Sequence, residues 1–325
     1  MFDSIAFTIK RSLNLEVLEN WTRYTKDSPW NDTSKVYYKY FESVNRGAVC
    51  YTYREKDYTG QPLLEIEVSS IGKILFGNNF TPFTDIQKHI LLTLEETNNF
   101  MGLVRSSDLH KCKIIRVDFC ASIPTGEFLK YYLAYCVDQN YPKRVRNNYN
   151  NRGDRNPLKA ICNGVVYSTR SKCPCTLKVY DKREESGDDQ TEGILRVEAC
   201  IRGDKNLESL FGKKRPNLVD LTDDIAIKTL NRDLTTIGLN KGFTVKGCST
   251  IPDGKCSSHD LFLMNVFIKD RDLPVKDLVA KYGHKSKTIK NWIKRSKELL
   301  PLQAKYRAKN GNVIIVPGLQ VKPPD

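Results

Sequence analysis

The sequence has little of what zinc sites, secretion and membrane insertion demand. Its four histidines, His89, His110, His259 and His284, are dispersed, and none forms a His-hydrophobic-His pair. Cysteine does not make up for them. Cys50, Cys112, Cys120, Cys136, Cys162, Cys200 and Cys248 stand singly, and Cys173 and Cys175 form C-P-C rather than C-x-x-C, with no second pair at zinc spacing. A zinc site and a disulfide framework are both disfavoured. Several of these thiols fall inside strand patterns, where cysteine serves as a small apolar residue, and a reducing cytoplasm is expected. No run approaches 18 consecutive apolar residues, so no membrane span is expected. The opening MFDSIAFTIKRSL alternates like a strand and lacks the apolar core of a signal peptide.

What the chain has is positive charge. Lys and Arg number 52 against 38 Asp and Glu, a formal net charge of +14. An excess of this size points to a polyanionic partner, most simply nucleic acid. With 325 residues, 40% of them hydrophobic, the chain can bury a large core and carry a second, smaller domain. The expected division is an α+β domain over 1–215 and a basic, helical domain over 216–325.

Residues 4–10, 36–41, 48–54 and 63–69 alternate as strands. In the last of these, Glu65, Glu67 and Ser69 oppose Leu64, Ile66 and Val68. Residues 70–85, rich in Gly and Asn, are expected to form a loop carrying Lys73. A helix should follow over 84–103, capped by Thr84 or Asp85. Then come a strand at 112–121 and a helix at 126–138. Residues 141–159 lack periodicity and are Asn-rich and basic. They are expected to be a loop whose Lys143, Arg144, Arg146, Arg152 and Arg155 meet phosphates. Residues 164–170 and 176–182 read as strands joined by the turn SKCPC, 185–192 as an acidic turn, and 194–201 as a further strand. Strands followed by helices in this order give an α+β fold with an antiparallel sheet.

Three strands share one design. IRVDFC (115–120) places Arg116, Asp118 and Cys120 opposite Ile115, Val117 and Phe119. TLKVYDK (176–182) places Lys178, Tyr180 and Lys182 opposite Leu177 and Val179. LRVEACI (195–201) places Arg196, Glu198 and Cys200 opposite Leu195, Val197, Ala199 and Ile201. If the three share a sheet, one face is apolar and the other holds two acids, a half-exposed tyrosine and four cations. Such a face suits phosphodiester chemistry. Tyr180 would attack phosphorus, and because a free phenol has a pKa near 10, Lys178 and Lys182 would favour its ionised form. Asp118 and Glu198, with Glu67 or Glu185 as third ligand, would hold Mg²⁺ or Mn²⁺ through hard oxygens. Arg116 and Arg196 would pair with these acids or clamp a phosphate. The same residues also fit a salt-bridged sheet face with no chemistry.

The last third changes character. VKDLVAKYG (275–283) and KTIKNWIKRSKEL (287–299) read as two helices joined by a short turn. Ala280, Gly283, Ile289 and Trp292 stand where a helix-turn-helix needs a small residue, a turn glycine and buried apolar residues. Lys287, Lys290 and Lys294 lie among its many cations. KYRAKNGNVIIV (305–316) is expected to form a hairpin turned at Asn310-Gly311, which would complete a winged helix.

Taken in order, IGKILFGNNFTPFTD (71–85), IIRVDFCASIPTGE (114–127), YSTR (167–170), TLKVYDKREE (176–185) and ILRVEACIR (194–202) resemble the gene II replication initiators of filamentous phages and related plasmid rolling-circle initiators. The resemblance implies a DNA-nicking domain in which Tyr180 is the nucleophile, with Asp118 and Glu198 on the family's Arg-x-Asp and Arg-x-Glu strands. It implies nicking of the plus strand at the double-strand origin of a circular genome through a 5′-phosphotyrosine, then rolling-circle synthesis and religation. The partners would be supercoiled origin DNA, single-stranded DNA, and the helicase and polymerase of a bacterial host. Arg170 falls in the YSTR motif and is a further candidate DNA contact. The chain departs from the wider class of rolling-circle nucleases in lacking its His-hydrophobic-His metal motif, and Lys182 follows the tyrosine at an unusual spacing. Two alternatives stay open: a non-enzymatic origin-binding or regulatory protein acting through the winged helix, and a phosphodiesterase in which Tyr180 is structural.

Overall fold

The structure is a computed structural model that describes residues 2–24, 35–44, 47–81, 83–97, 103–148, 163–170, 175–246, 260, 262–263, 267–309 and 313–323. In chain order the elements are β1 (Phe2–Lys10), α1 (Leu15–Leu18), β2 (Thr22–Tyr24), β3 (Val36–Glu42), β4 (Ala48–Arg54), β5 (Leu63–Ser69), α2 (Ile71–Phe76), α3 (Ile86–Thr97), β6 (Lys113–Pro124), α4 (Leu129–Asp138), β7 (Arg144–Asn148), β8 (Gly164–Thr169), β9 (Thr176–Asp181), α5 (Lys182–Ser186), β10 (Ile194–Arg202), α6 (Asp204–Phe211), α7 (Asp223–Thr236), β11 (Phe243–Lys246), α8 (Val275–Tyr282), α9 (Ser286–Lys309) and β12 (Val313–Val316). The fold is α+β, as the order of sequence patterns implies.

Two compact units are built from interleaved segments. One comprises residues 1–121, 200–229 and 322–325, the other residues 122–199 and 230–321. The sequence reading cuts the chain once, between 215 and 216, because a composition change marks only where the chain alters character. It carries no information about which distant segments pack together.

In the first unit the strands lie in the order β2-β3-β4-β5-β1-β6, and every neighbouring pair is antiparallel. Alternation in β5 buries Leu64, Ile66 and Val68 and leaves Glu65 and Glu67 half-buried on the other face. The pairing of β1 with β6 shifts register between Ala6 and Phe7. Ala6 opposes Arg116 while Phe7 opposes Ile114, so Ile115 is an extra residue in its strand.

Residues 70–85 are not wholly a loop. Ile71–Phe76 form a short helix between Ser70 and Gly77, both in left-handed conformations (φ 52° and 76°). Gly77, Asn78 and Asn79, which read as loop signals, therefore mark the helix C-terminus, while Gly72 lies within the helix. In α3 the carboxylate of Asp85 accepts from the Lys88 amide at 3.2 Å, the expected cap.

In the second unit the order is β10-β9-β8-β7. Val165 opposes Val179 and Tyr167 opposes Leu177, and all four are buried. The Tyr167 hydroxyl donates to the Cys136 carbonyl of α4 at 2.7 Å, which places that helix on this apolar face. Arg144–Asn148, expected in a basic loop, pair with β8 as a strand. Residues 149–159, with Arg152 and Arg155, lie outside the described residues, as do 171–174 of the SKCPC turn. The acidic segment after β9 starts with a helical turn, α5, whose cap is Asp181 accepting from the Arg183 amide at 2.9 Å.

Helices α8 and α9 meet across Gly283 (φ 68°), as a helix-turn-helix reading requires. Leu278, Tyr282, Ile289 and Trp292 are buried there with Phe262 and Phe267, and Ala280 is exposed. The wing differs from expectation. α9 continues to Lys309, and β12 pairs with the distant β11, Val316 opposing Phe243. Asn310 and Gly311 lie outside the described residues. Past the predicted end, Ala304, Lys305, Arg307, Ala308 and Lys309 favour helix, against Pro301, whose missing amide opposes it. Among the described residues no helix is long and apolar enough to cross a membrane.

Candidate active site

Strands β9 and β10 bring three of the singled-out side chains to the carboxylate of a fourth, Glu198. The Tyr180 hydroxyl donates to Glu198 Oε1 at 2.6 Å. Lys178 Nζ donates to Glu198 Oε2 at 2.9 Å, and Arg196 Nε to Oε1 at 3.3 Å. Residues two apart on a strand share a face, so Lys178 lies with Tyr180 and Arg196 with Glu198, and the pairing of β9 with β10 brings the two pairs together. Burial of Glu198 would raise its pKa, but the charges of Lys178 and Arg196 and the Tyr180 hydroxyl outweigh it and hold the carboxyl at about 2.

Tyr180 is not half exposed. Only 2% of its surface is accessible, as for Arg196. Alternation sorts side chains by face, and whether a face is covered depends on other elements. Arg196 also donates to Ser122 at 2.8 Å, so it is locked between Glu198 and a hydroxyl rather than offered to a phosphate. Lys182 also departs from expectation. It starts α5 instead of continuing the strand, is fully buried, and pairs with Glu185. Burial and then the nearby Arg196 charge lower its pKa, against the Glu185 carboxylate, which raises it.

Gly164 is a residue that sequence reasoning missed. It opposes Tyr180 in the ladder at φ 148°, and a Cβ there would lie 2.3 Å from the Val179 carbonyl and 2.5 Å from Tyr180 Cβ. Its only signal was a glycine at the start of an otherwise regular strand.

The first unit holds the remaining acids. Arg116 Nε donates to Asp118 at 3.1 Å with a second contact from its terminal nitrogen, and its other nitrogen donates to Glu67 at 2.6 Å. Burial would lower the Arg116 pKa, but Asp118 raises it further, and the guanidinium stays charged. Among the described residues no three His, Cys, Asp or Glu side chains gather as a metal-ligand set. Asp118, Glu67 and Glu198 are each engaged by cations, so a divalent metal would have to displace Arg116, or Lys178 and Arg196, to reach them.

The candidate DNA contacts divide. Arg144 lies over the Tyr141 ring at 3.9 Å, and Arg146 donates to the carbonyls of Val137 and, at 3.3 Å, Lys281, so both are held by the fold. Lys73 is half-buried in α2. Arg170, Lys287, Lys290 and Lys294 are exposed, the lysines along one side of α9. Burial raises the thiol pKa of Cys112 and Cys136 to about 12, in keeping with small apolar roles.

No protein-family model matches the chain, and no curated protein does. One solved structure is similar over 73% of this chain and 84% of its own length, a rolling circle replication initiator protein from Geobacillus stearothermophilus, with 12% identity and a TM-score of 0.36.

Proposed function

We propose that the chain initiates rolling-circle DNA replication by breaking and rejoining one DNA strand through Tyr180. One observation carries the reading: the Tyr180 hydroxyl rests 2.6 Å from an ionised, buried carboxylate, Glu198, that also holds Lys178 and Arg196. The five ordered motifs of the resemblance single out the same tyrosine. In the nicking step the Tyr180 oxygen forms a bond to phosphorus, the phenolic proton passes to Glu198, and the 3′ oxygen leaves, taking a proton from solvent. Religation reverses these steps, the 3′ hydroxyl displacing the tyrosine.

Magnitudes constrain the order of events. Glu198, held at about 2 by its cationic partners and the Tyr180 hydroxyl, is a far weaker base than a phenolate. Proton transfer ahead of attack is therefore disfavoured, and the proton moves as the phosphorus–oxygen bond forms. A DNA phosphate that draws Lys178 away from Glu198 would raise the carboxyl pKa and make it a stronger base. Supercoiled origin DNA and the displaced single strand would be the substrates, and a host helicase and polymerase the partners. A divalent cation is a separate proposal, with no step here assigned to it. Nicking that is lost in chelator and restored by added Mg²⁺ or Mn²⁺ would support it.

The test is incubation with supercoiled cognate origin DNA. Wild-type protein should yield nicked circles and an SDS-resistant adduct, mapping as phosphotyrosine at residue 180. Tyr180→Phe should bind the DNA and give neither, and continued nicking by that variant would rule out the assignment. The 2% exposure of Tyr180 favours a second reading, in which the tyrosine is a structural anchor and the exposed lysines of α9 make this an origin-binding protein without chemistry. That reading predicts full function in Tyr180→Phe and no adduct.

A further inference from the structure

In the first unit, a groove of about 630 Å³ is lined by residues from β1, β5, β6, α6, the β4–β5 turn and the segment at 215–216. Four cations border it, Lys10, Lys111, Lys113 and Arg215, against two acids, Asp57 and Asp204. Asp57 is consumed locally. Its carboxylate accepts from the Thr59 hydroxyl and from the amides of Thr59 and Gln61, at 2.5, 2.7 and 3.1 Å. That turn, closed by the Gly60 amide on the Asp57 carbonyl at 2.9 Å, raises Tyr58 at the groove's rim, where 91% of the tyrosine is exposed. Lys10 braces the turn by donating to Gln61 at 2.9 Å. Arg215 is held at φ 53° beside Pro216, whose carbonyl accepts from the Ile114 amide at 2.8 Å, so this cation is tied to β6 by a fixed backbone.

Register places the groove on the sheet face that carries the Arg116 ion pairs. Residues directly opposite in an antiparallel ladder point the same way. Ala6 opposes both Glu67 and Arg116, Thr8 opposes Lys113, and Lys10 opposes Leu63. The groove therefore lies toward one end of the sheet face that bears Arg116, Asp118 and Glu67. The register shift that makes Ile115 an extra residue also brings it into the lining, beside Leu63 and Leu207.

We propose that this groove binds single-stranded DNA, one base stacking on Tyr58, neighbouring bases lying over the Leu63–Ile115 floor, and phosphates meeting Lys111, Lys113 and Arg215. An exposed aromatic ring among cations over an apolar floor suits unpaired bases, whose faces are free to stack. A duplex hides those faces and would engage the cations alone. The site deepens the replication reading by giving the displaced strand a track, but binding here does not require Tyr180 to be a nucleophile.

The experiment is fluorescence anisotropy of the full chain with labelled oligothymidylate and with a labelled duplex. Tyr58→Ala should weaken oligothymidylate binding about tenfold and leave duplex binding unchanged, and Tyr58→Phe should bind like wild type. Replacing Lys111 and Arg215 with Ala together should reduce the slope of log affinity against log salt by about 1.4, two contacts at about 0.7 each. Wild-type affinity in Tyr58→Ala, or an equal loss on the duplex, overturns the proposal. Because Tyr58 is solvent-exposed, Tyr58→Ala and Tyr58→Phe should keep the wild-type melting temperature. Oligothymidylate binding is read without nicking, so a failure of the nicking assignment would leave this result standing.

Discussion

Glu198 concentrates the chemistry of the second unit on one side chain. Its pKa lies at about 2 in the fold against an ordinary value of 4.5. A depressed carboxyl contributes stability above its unfolded value and loses it as pH falls through the folded one, so the relevant window runs from about 4.5 down to 2. The difference of about 2.5 units amounts to roughly 3 kcal/mol. Wild-type stability, measured by urea denaturation, should therefore fall more steeply across that window than stability of Glu198→Gln; parallel pH profiles would contradict the ion-pair account. At neutral pH Glu198→Gln should cost about 3 kcal/mol, since Lys178 and Arg196 lose their shared counter-charge. Tyr180→Phe removes one hydrogen bond and should cost only about 1 kcal/mol, so lost nicking in that variant cannot be ascribed to unfolding. Gly164→Ala should destabilise by about 2 kcal/mol or more and also reduce adduct formation, because the added Cβ would press on the backbone and side chain of Tyr180.

Elements decide how these residues are presented. The switch from β9 to α5 takes Lys182 off the tyrosine's strand and buries it against Glu185. That switch was legible only in part. Asp181 is a strong capping residue, but an unbroken Lys-x-Tyr-x-Lys alternation read more simply as strand. Asp181→Ala should cost about 1 kcal/mol through the lost cap. On α9, Lys287, Lys290 and Lys294 follow the three- and four-residue spacing of one helix face, and all three are exposed. Their spacing could be read from sequence because no other element is needed to set it. Replacing all three with Ala should lower the salt slope of duplex binding by up to about 2.7, at 0.9 per phosphate contact. An unchanged slope would remove this face from the DNA interface.

At the scale of the whole molecule, the interleaving of the chain matters most. The second unit joins residues 122–199 to residues 230–321. Tyr132 donates to the Pro317 carbonyl at 2.7 Å, Tyr141 to Asp233 at 2.8 Å, and Tyr135 stacks on Phe243 at 4.2 Å. A chain ending at residue 215 should lose these partners, expose aromatic surface, and fail to give a cooperative thermal transition by circular dichroism. A stable, soluble 1–215 fragment with native-like unfolding would show that the N-terminal part folds alone.

The sequence by itself determined which side chains would share a face. Strand alternation has a period of two, and it needs no knowledge of the rest of the chain to put Tyr180 with Lys178 and Glu198 with Arg196. It also located most strands of the first unit and the cationic side of α9, since both arise from local periodicity. Burial was decided by the tertiary structure. Tyr180 proved enclosed, Arg196 tied to Ser122, and Arg144 and Arg146 held by ring and carbonyl contacts rather than offered to phosphates. Which carboxylates meet which cations was decided there too, along with the placing of Gly164 against the tyrosine. Each of these outcomes depends on residues far apart in the chain, and local pattern does not encode the distances between them.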